Sequence, residues 1–176
     1  INLARKIKKL NKKGIDLIYS ANTLSHINNL DSVFKSICHV MDDKGILIIE
    51  DPSLLECLKN VSYDQFYNEH IYVFSLIAIN EVIKKYGLEV FDIEKLETHG
   101  GSLRYYIKRK FNKKFKISSR VKDQFQEELK FKLNKYSTFI NFRKKIEKSK
   151  KNLKKIFYDK KKNKKKIIGY GATAKA

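Results

Sequence analysis

Two apolar runs, IDLIYSA at 15–21 and ILIIED at 46–51, enclose a segment in which Leu30, Val33, Phe34, Ile37 and Met41 recur at helical spacing. Short continuous apolar runs suit buried strands, and a helix between them supplies the crossover that two parallel strands require. The chain is therefore read as α/β, with a βαβ unit and a parallel pair in its sheet. Asp31 is placed to start the crossover helix, and DDKG at 42–45 reads as the turn before the second strand.

The flanking segments extend this pattern. Leu3, Ile7 and Leu10 mark a helix that breaks at Gly14. A further helix is expected over 75–86, ending at Gly87, followed by two strands, LEVFDIEKLETHGG and SLRYYIKRK, that can form an antiparallel hairpin at the sheet edge. Over 119–150, Val121, Phe125, Leu129, Leu133, Tyr136, Ile140 and Ile146 form an apolar stripe on one long lysine-rich helix, and the change of composition marks a boundary. YDKKKNKKK at 158–166 reads as a solvated loop, and IIGYGATAKA at 167–176 as a strand entering a glycine turn. The sequence opens inside a helical pattern without a methionine and stops at that turn, so we expect a piece of a longer chain, cut at both ends.

The formal net charge of +20 suggests nucleic acid or an anionic membrane surface as a partner. Its composition argues otherwise. Arginine occurs only at Arg5, Arg104, Arg109, Arg120 and Arg143, whereas nucleic-acid readers favour the bidentate arginine fork. Isoleucine, asparagine and lysine are abundant together, as an AT-rich coding sequence would give, so the lysines are read as a solvated surface and nucleic acid is not the expected partner. Cys38 and Cys57 are too few and too far apart for a disulfide framework or a zinc knuckle, which points to a reducing cytoplasm and to no metal site in this chain. No signal peptide opens the sequence, and no apolar run reaches the roughly 18 residues of a membrane span.

Ligands of open parallel sheets bind beyond the carboxyl ends of the strands. That rule nominates Ala21, Asn22 and His26 after the first strand and Glu50 and Asp51 after the second, although Asn22 can equally serve as a helix cap. A second concentration of chemistry is YDQFYNEHIYVFS at 63–75, where aromatics, acids and a histidine crowd together in an otherwise lysine-rich chain.

Four segments carry a family resemblance in order: SANTLSHINNLDSVFKSICHVMDDKGILIIEDPSLLECL, YDQFYNEHIYVFS, ETHGGSLRYYI and GYGATAKA. Together they resemble the sugar C-methyltransferases, which methylate nucleotide-linked keto-deoxysugars with S-adenosylmethionine, and the resemblance spans nearly the whole chain. It implies the second half of a Rossmann-like class I methyltransferase sheet over 1–112, followed over 113–176 by the start of a C-terminal α/β domain. It also implies that the zinc-binding domain and the glycine-rich cofactor loop of the family precede this sequence, so zinc is expected only there.

Methylation of a carbon beside a ketone needs a base, a donor for the enolate oxygen and an electrophilic methyl held in line. In YNEH, His70 suits the base, Glu69 can orient the imidazole or share its proton, and Tyr67 and Tyr72 offer hydroxyls, with core packing the competing role for Tyr72. The resemblance places the catalytic segment here too, the cofactor side at Ala21, Asn22 and His26, and substrate contacts at His99, Gly100, Gly101 and Ser102. Gly169, Gly171 and Lys175 of the last motif are expected at the nucleotide-sugar phosphates, with Ala174 in the third small position of the turn. The expected substrate is a nucleotide-linked keto-sugar. Another class I methyltransferase acting on a small molecule, and a basic nucleic-acid-binding module, are the alternative readings.

Overall fold

The computed structural model describes residues 1–170. Helix α1 (Asn2–Leu10) precedes strand β1 (Ile15–Ala21), helix α2 (Leu30–Val40) and strand β2 (Met41–Pro52), so the βαβ crossover lies where the hydrophobic periods put it. Helices α3 (Leu54–Asn60) and α4 (Leu76–Ile83), strands β3 (Leu88–Leu96) and β4 (Ser102–Arg109), and helices α5 (Ser119–Lys130) and α6 (Tyr136–Lys162) follow. The sheet runs β1-β2-β4-β3; β1 and β2 are parallel, and β4 is antiparallel to both its neighbours. The predicted hairpin thus folds back, with β4 inserted beside β2 and β3 outermost.

One face of this sheet makes the core. Phe34 of α2, Leu47 and Ile49 of β2, Ile79 and Ile83 of α4, and Tyr105 and Ile107 of β4 have no exposed surface. Each such side chain contributes roughly 1.5–3 kcal/mol on burial, which holds α2 and α4 on the sheet far more firmly than helix propensity could. Caps sharpen the ends: Ser75 accepts from Ala78 N at the start of α4, and Gly87, at φ 68°, takes the left-handed position that ends the following 3-10 turn.

Several expectations need correction. Strand β1 is not buried on both sides. Only Ile18 packs into the core, while Leu17 and Tyr19 on the other face are more than half exposed, because α2 and α4 cover one face of the sheet. The cap of α2 is Asn29, whose side chain accepts from Ser32 N at 2.9 Å; Asp31 stands in the first turn, where a carboxylate favours the helix start, and binds Lys35 and Tyr86. DDKG is not a separate turn. It is a bulge inside β2, where pairing jumps from Ile15↔Met41 to Leu17↔Ile46, and a Cβ on Gly45 would meet the Ile15 carbonyl oxygen at 2.6 Å.

The single long helix is two. Lys132, at φ 61°, breaks the chain between α5 and α6, and the turn drives Leu133 into a small second core with Leu55 and Leu58. Tyr136 is consequently exposed and belongs to no buried stripe. The lysine run is a loop only in its second half: α6 continues through Lys162, as lysine's good intrinsic helix propensity allows, and 163–166 beyond it are exposed and non-helical, while no residue of α6 is buried. Residues 167–170 form no strand and are exposed. No helix among the described residues is long and apolar enough to cross a membrane.

Helix α5 docks through buried polarity. Glu128, with no exposed surface, accepts from Leu76 N at 2.8 Å and Ile77 N at 2.9 Å, the open amides of the first turn of α4, and from Gln124 Nε2 at 3.0 Å. Asp92 on β3 anchors the other end of α5 by accepting from Ser118 and Arg120.

Candidate functional site

The nominated segments converge on the carboxyl end of β2. The Asn22 amide donates to the Glu50 carbonyl at 2.7 Å as β1 ends, and Ser53 N donates to the Gly101 carbonyl at 3.0 Å from the β3–β4 connection. Ser53 also forms a bridge to Phe74, and the Ser25 carbonyl accepts from both Ile71 N and Tyr72 N. Three loops are thereby gathered at one strand end by backbone contacts.

Within them, two histidines meet. His26, at the end of the 3-10 turn Leu24–His26, and His70 sit edge to face with ring centroids 4.8 Å apart. His70 Nδ1 lies 2.9 Å from the Gln65 carbonyl oxygen, which can only accept, so Nδ1 carries the proton. The neutral ring then presents its lone pair at Nε2, where the Tyr67 hydroxyl donates at 3.1 Å. A histidine held in this way is a base with a defined tautomer. The orienting role considered for Glu69 is filled by Gln65, a residue that sequence reasoning passed over because it acts through its backbone; Glu69 is exposed.

The other nominated residues separate into two groups. Asn22 stands at φ 49°, with its Oδ1 buried and lacking a hydrogen-bond partner among the described residues, an acceptor that suits a ligand's donor. It does not cap α2. Ala21 precedes it, half-buried and paired with Glu50. Tyr72 is occupied: its hydroxyl donates to Asn28 O, and its ring stacks on Phe74. The Ser102 hydroxyl donates to Thr98 O, closing its own loop. Exposed His99 and Gly100 adjoin Gly101 in three successive positive-φ positions, and the two glycines line a pocket of about 480 Å³ together with Ser53, Glu56 and Gln124. Gly169 is exposed, and a Cβ added there would meet open space among the described residues, while Gly171 and Lys175 lie outside them.

Gly101 is required twice over, by φ 117° and by Glu56, whose Cβ would stand 2.7 Å from an added Cβ. Gly101→Ala is expected to cost roughly 1–3 kcal/mol and to loosen the 97–102 turn. Urea denaturation measures it, and an unchanged midpoint would contradict the packing described.

Asp51, the residue after Glu50, has no exposed surface. Burial pushes its carboxyl up to about 6; Ser25 and the charge of His26 pull it back, and Glu50 adds to the rise. Neither oxygen makes a hydrogen bond of standard geometry among the described residues, and the Ser25 hydroxyl beside it is equally unpartnered. The folded carboxyl holds its proton more tightly than an ordinary one at 3.8. The fold therefore bears a cost of about 3 kcal/mol that is complete above pH 6 and relieved as pH falls toward 4.

Residues 4–93 match the family model described as a methyltransferase domain, and residues 97–176 match the one described as a C-methyltransferase C-terminal domain. The chain belongs to the family described as the methyltransferase domain. Over 87 residues the chain is 31% identical to the C-methyltransferase NovU of Streptomyces niveus, a match covering 49% of this chain and 21% of that protein. The chain thus spans well under two thirds of that relative's length. Two solved structures share 16% identity with it. The magnesium protoporphyrin IX methyltransferase ChlM of Synechocystis PCC 6803, with bound SAH, aligns at a TM-score of 0.39 over 55% of this chain and 46% of its own. The PH0226 protein of Pyrococcus horikoshii OT3 aligns at 0.41 over 62% and 66%.

Proposed function

We propose that this chain forms part of an enzyme that transfers a methyl group from S-adenosylmethionine to the carbon beside a ketone of a nucleotide-linked deoxysugar. The observation that carries the reading is the His70 imidazole, fixed by the Gln65 carbonyl so that basic Nε2 faces the Tyr67 hydroxyl. His70 Nε2 accepts the proton from the carbon next to the ketone, the C–H electron pair passes into the enolate, and Tyr67 supplies a hydroxyl donor for the enolate oxygen. The cofactor supplies an electrophilic methyl carried on a sulfonium. The new C–C bond forms as the methyl–sulfur bond breaks, leaving S-adenosylhomocysteine.

Ala21, Asn22 and His26 are assigned to the cofactor side, on the strength of Asn22 Oδ1 as an unmatched buried acceptor. The 97–102 turn, with His99, Gly100 and Gly101, is assigned to the sugar nucleotide, and so is the last motif with Gly169, Gly171 and Lys175. Residues 1–112 belong on this reading to the methyltransferase domain and 113–176 to the C-terminal domain. Mass spectrometry and NMR of the product test it: one methyl on a sugar carbon is expected, and a methyl on oxygen, nitrogen or nucleic acid would refute it.

A further inference from the structure

Gln65 holds His70 through a backbone carbonyl, so the tautomer of the imidazole depends on whatever fixes the backbone at 63–67. Two things do so. Ser62 N donates to the Cys57 carbonyl at 2.9 Å, and Gln65 N and Phe66 N donate to Ser62 O at 3.2 Å and Tyr63 O at 3.1 Å, which joins the segment to the end of α3. Phe66 stands between the two residues that engage His70, and its ring lies against Phe142 of α6 with centroids 5.7 Å apart and planes at 54°. Aromatic pairs attract in this geometry. Phe142 in turn packs on the second core, formed by Leu55 and Leu58 of α3 and by Leu133 before α6, so both anchors of the loop end on one cluster.

We propose that Phe66 and Phe142 are positioning residues of the site, their ring contact letting α6 hold the Gln65 carbonyl on His70 Nδ1. A hydrogen bond weakens steeply as it lengthens or bends, and the 2.9 Å between Gln65 O and Nδ1 leaves little slack. Once that acceptor moves away, the proton is free to shift to Nε2 and donate to the Tyr67 hydroxyl. The ring is then still neutral, but its lone pair faces away from Tyr67. On the methyl-transfer reading α6 belongs to the C-terminal domain, so that domain sets the tautomer of a base carried by the methyltransferase domain.

The functional meaning of this role rests on the methyl-transfer reading, but its first test needs no substrate. Nitrogen NMR of the full-length enzyme, labelled on its histidine rings and held at a pH where imidazole is neutral, separates protonated from bare ring nitrogens. The His70 signals are identified by their loss in His70→Ala. In wild type Nδ1 should be protonated and Nε2 bare. Phe66→Ala and Phe142→Ala should each draw the two resonances together as the tautomers mix, and turnover should fall roughly 10- to 100-fold with affinity for S-adenosylmethionine unchanged. The double variant should do no worse than either single one, because each change removes the same contact. Phe66→Leu, which keeps an apolar contact, should recover part of the turnover. Leu153→Ala, farther along the exposed face of α6, should match wild type in both readouts. If Phe142→Ala does not fold, having lost its packing on the second core, Phe66→Ala decides alone, since Phe66 is 45% exposed. Resonances that stay apart in Phe66→Ala, or losses that add in the double variant, would overturn the proposal. Merged resonances in Phe66→Ala together with undiminished turnover in His70→Ala would uphold the positioning and refute the chemistry assigned to His70.

Discussion

His70→Ala in the full-length enzyme is expected to lower turnover roughly 100- to 10,000-fold while leaving affinity for S-adenosylmethionine nearly unchanged. The residue is half-buried, and both its ring nitrogens are engaged, Nδ1 by Gln65 and Nε2 by Tyr67, so the substitution removes a placed base rather than a packing group. Tyr67→Phe should lower turnover less, because the base remains and only a hydroxyl donor is lost. His39→Ala serves as the control. His39 is exposed on α2, and its loss should shift stability by less than about 0.5 kcal/mol and turnover hardly at all. Steady-state kinetics and calorimetric titration of the cofactor measure the three variants. Equal turnover for His70→Ala and wild type would remove His70 from the chemistry.

The largest expected effect on stability lies at Glu128. Alanine there leaves the buried amides of Leu76 and Ile77 without acceptors and deletes two charge-assisted hydrogen bonds, a loss of roughly 3–5 kcal/mol. A domain stable by about 5–15 kcal/mol would be brought near its limit. Glu127→Ala, one residue earlier, removes partly exposed pairs with Lys59 and Lys95 and should cost under about 1 kcal/mol. If Glu128→Ala does not fold, Glu128→Gln, which keeps one acceptor, should show an intermediate loss in urea. Equal losses at the two positions would contradict the docking of α5 through α4.

Much of the fold was legible because its signals are local. Short continuous apolar runs located β1 and β2, the 3.6-residue period located α2 between them, and Gly87 marked the end of α4's terminal turn. What the sequence did not disclose depended on distant partners. Leu17 and Tyr19 look like core residues in a run, and only the placement of helices on one face of the sheet exposes them. The stripe from Val121 to Ile146 keeps its period across Lys132, so periodicity alone could not reveal a break made by one left-handed residue and the contacts of Leu133. In the candidate site, YNEH and HGGS stood out by composition. The Gln65 carbonyl that fixes the His70 tautomer and the burial of Asp51 did not, since a backbone acceptor has no residue signature and an aspartate after a strand normally faces water.

Proton removal from the carbon to be methylated is the step that assigns this chemistry to His70. It can be followed apart from methyl transfer by incubating the full-length enzyme with the keto-sugar nucleotide and S-adenosylhomocysteine in deuterated water. Deuterium should enter at that carbon with wild type and should not with His70→Ala. Exchange by the variant at the wild-type rate would place the base elsewhere and contradict the account.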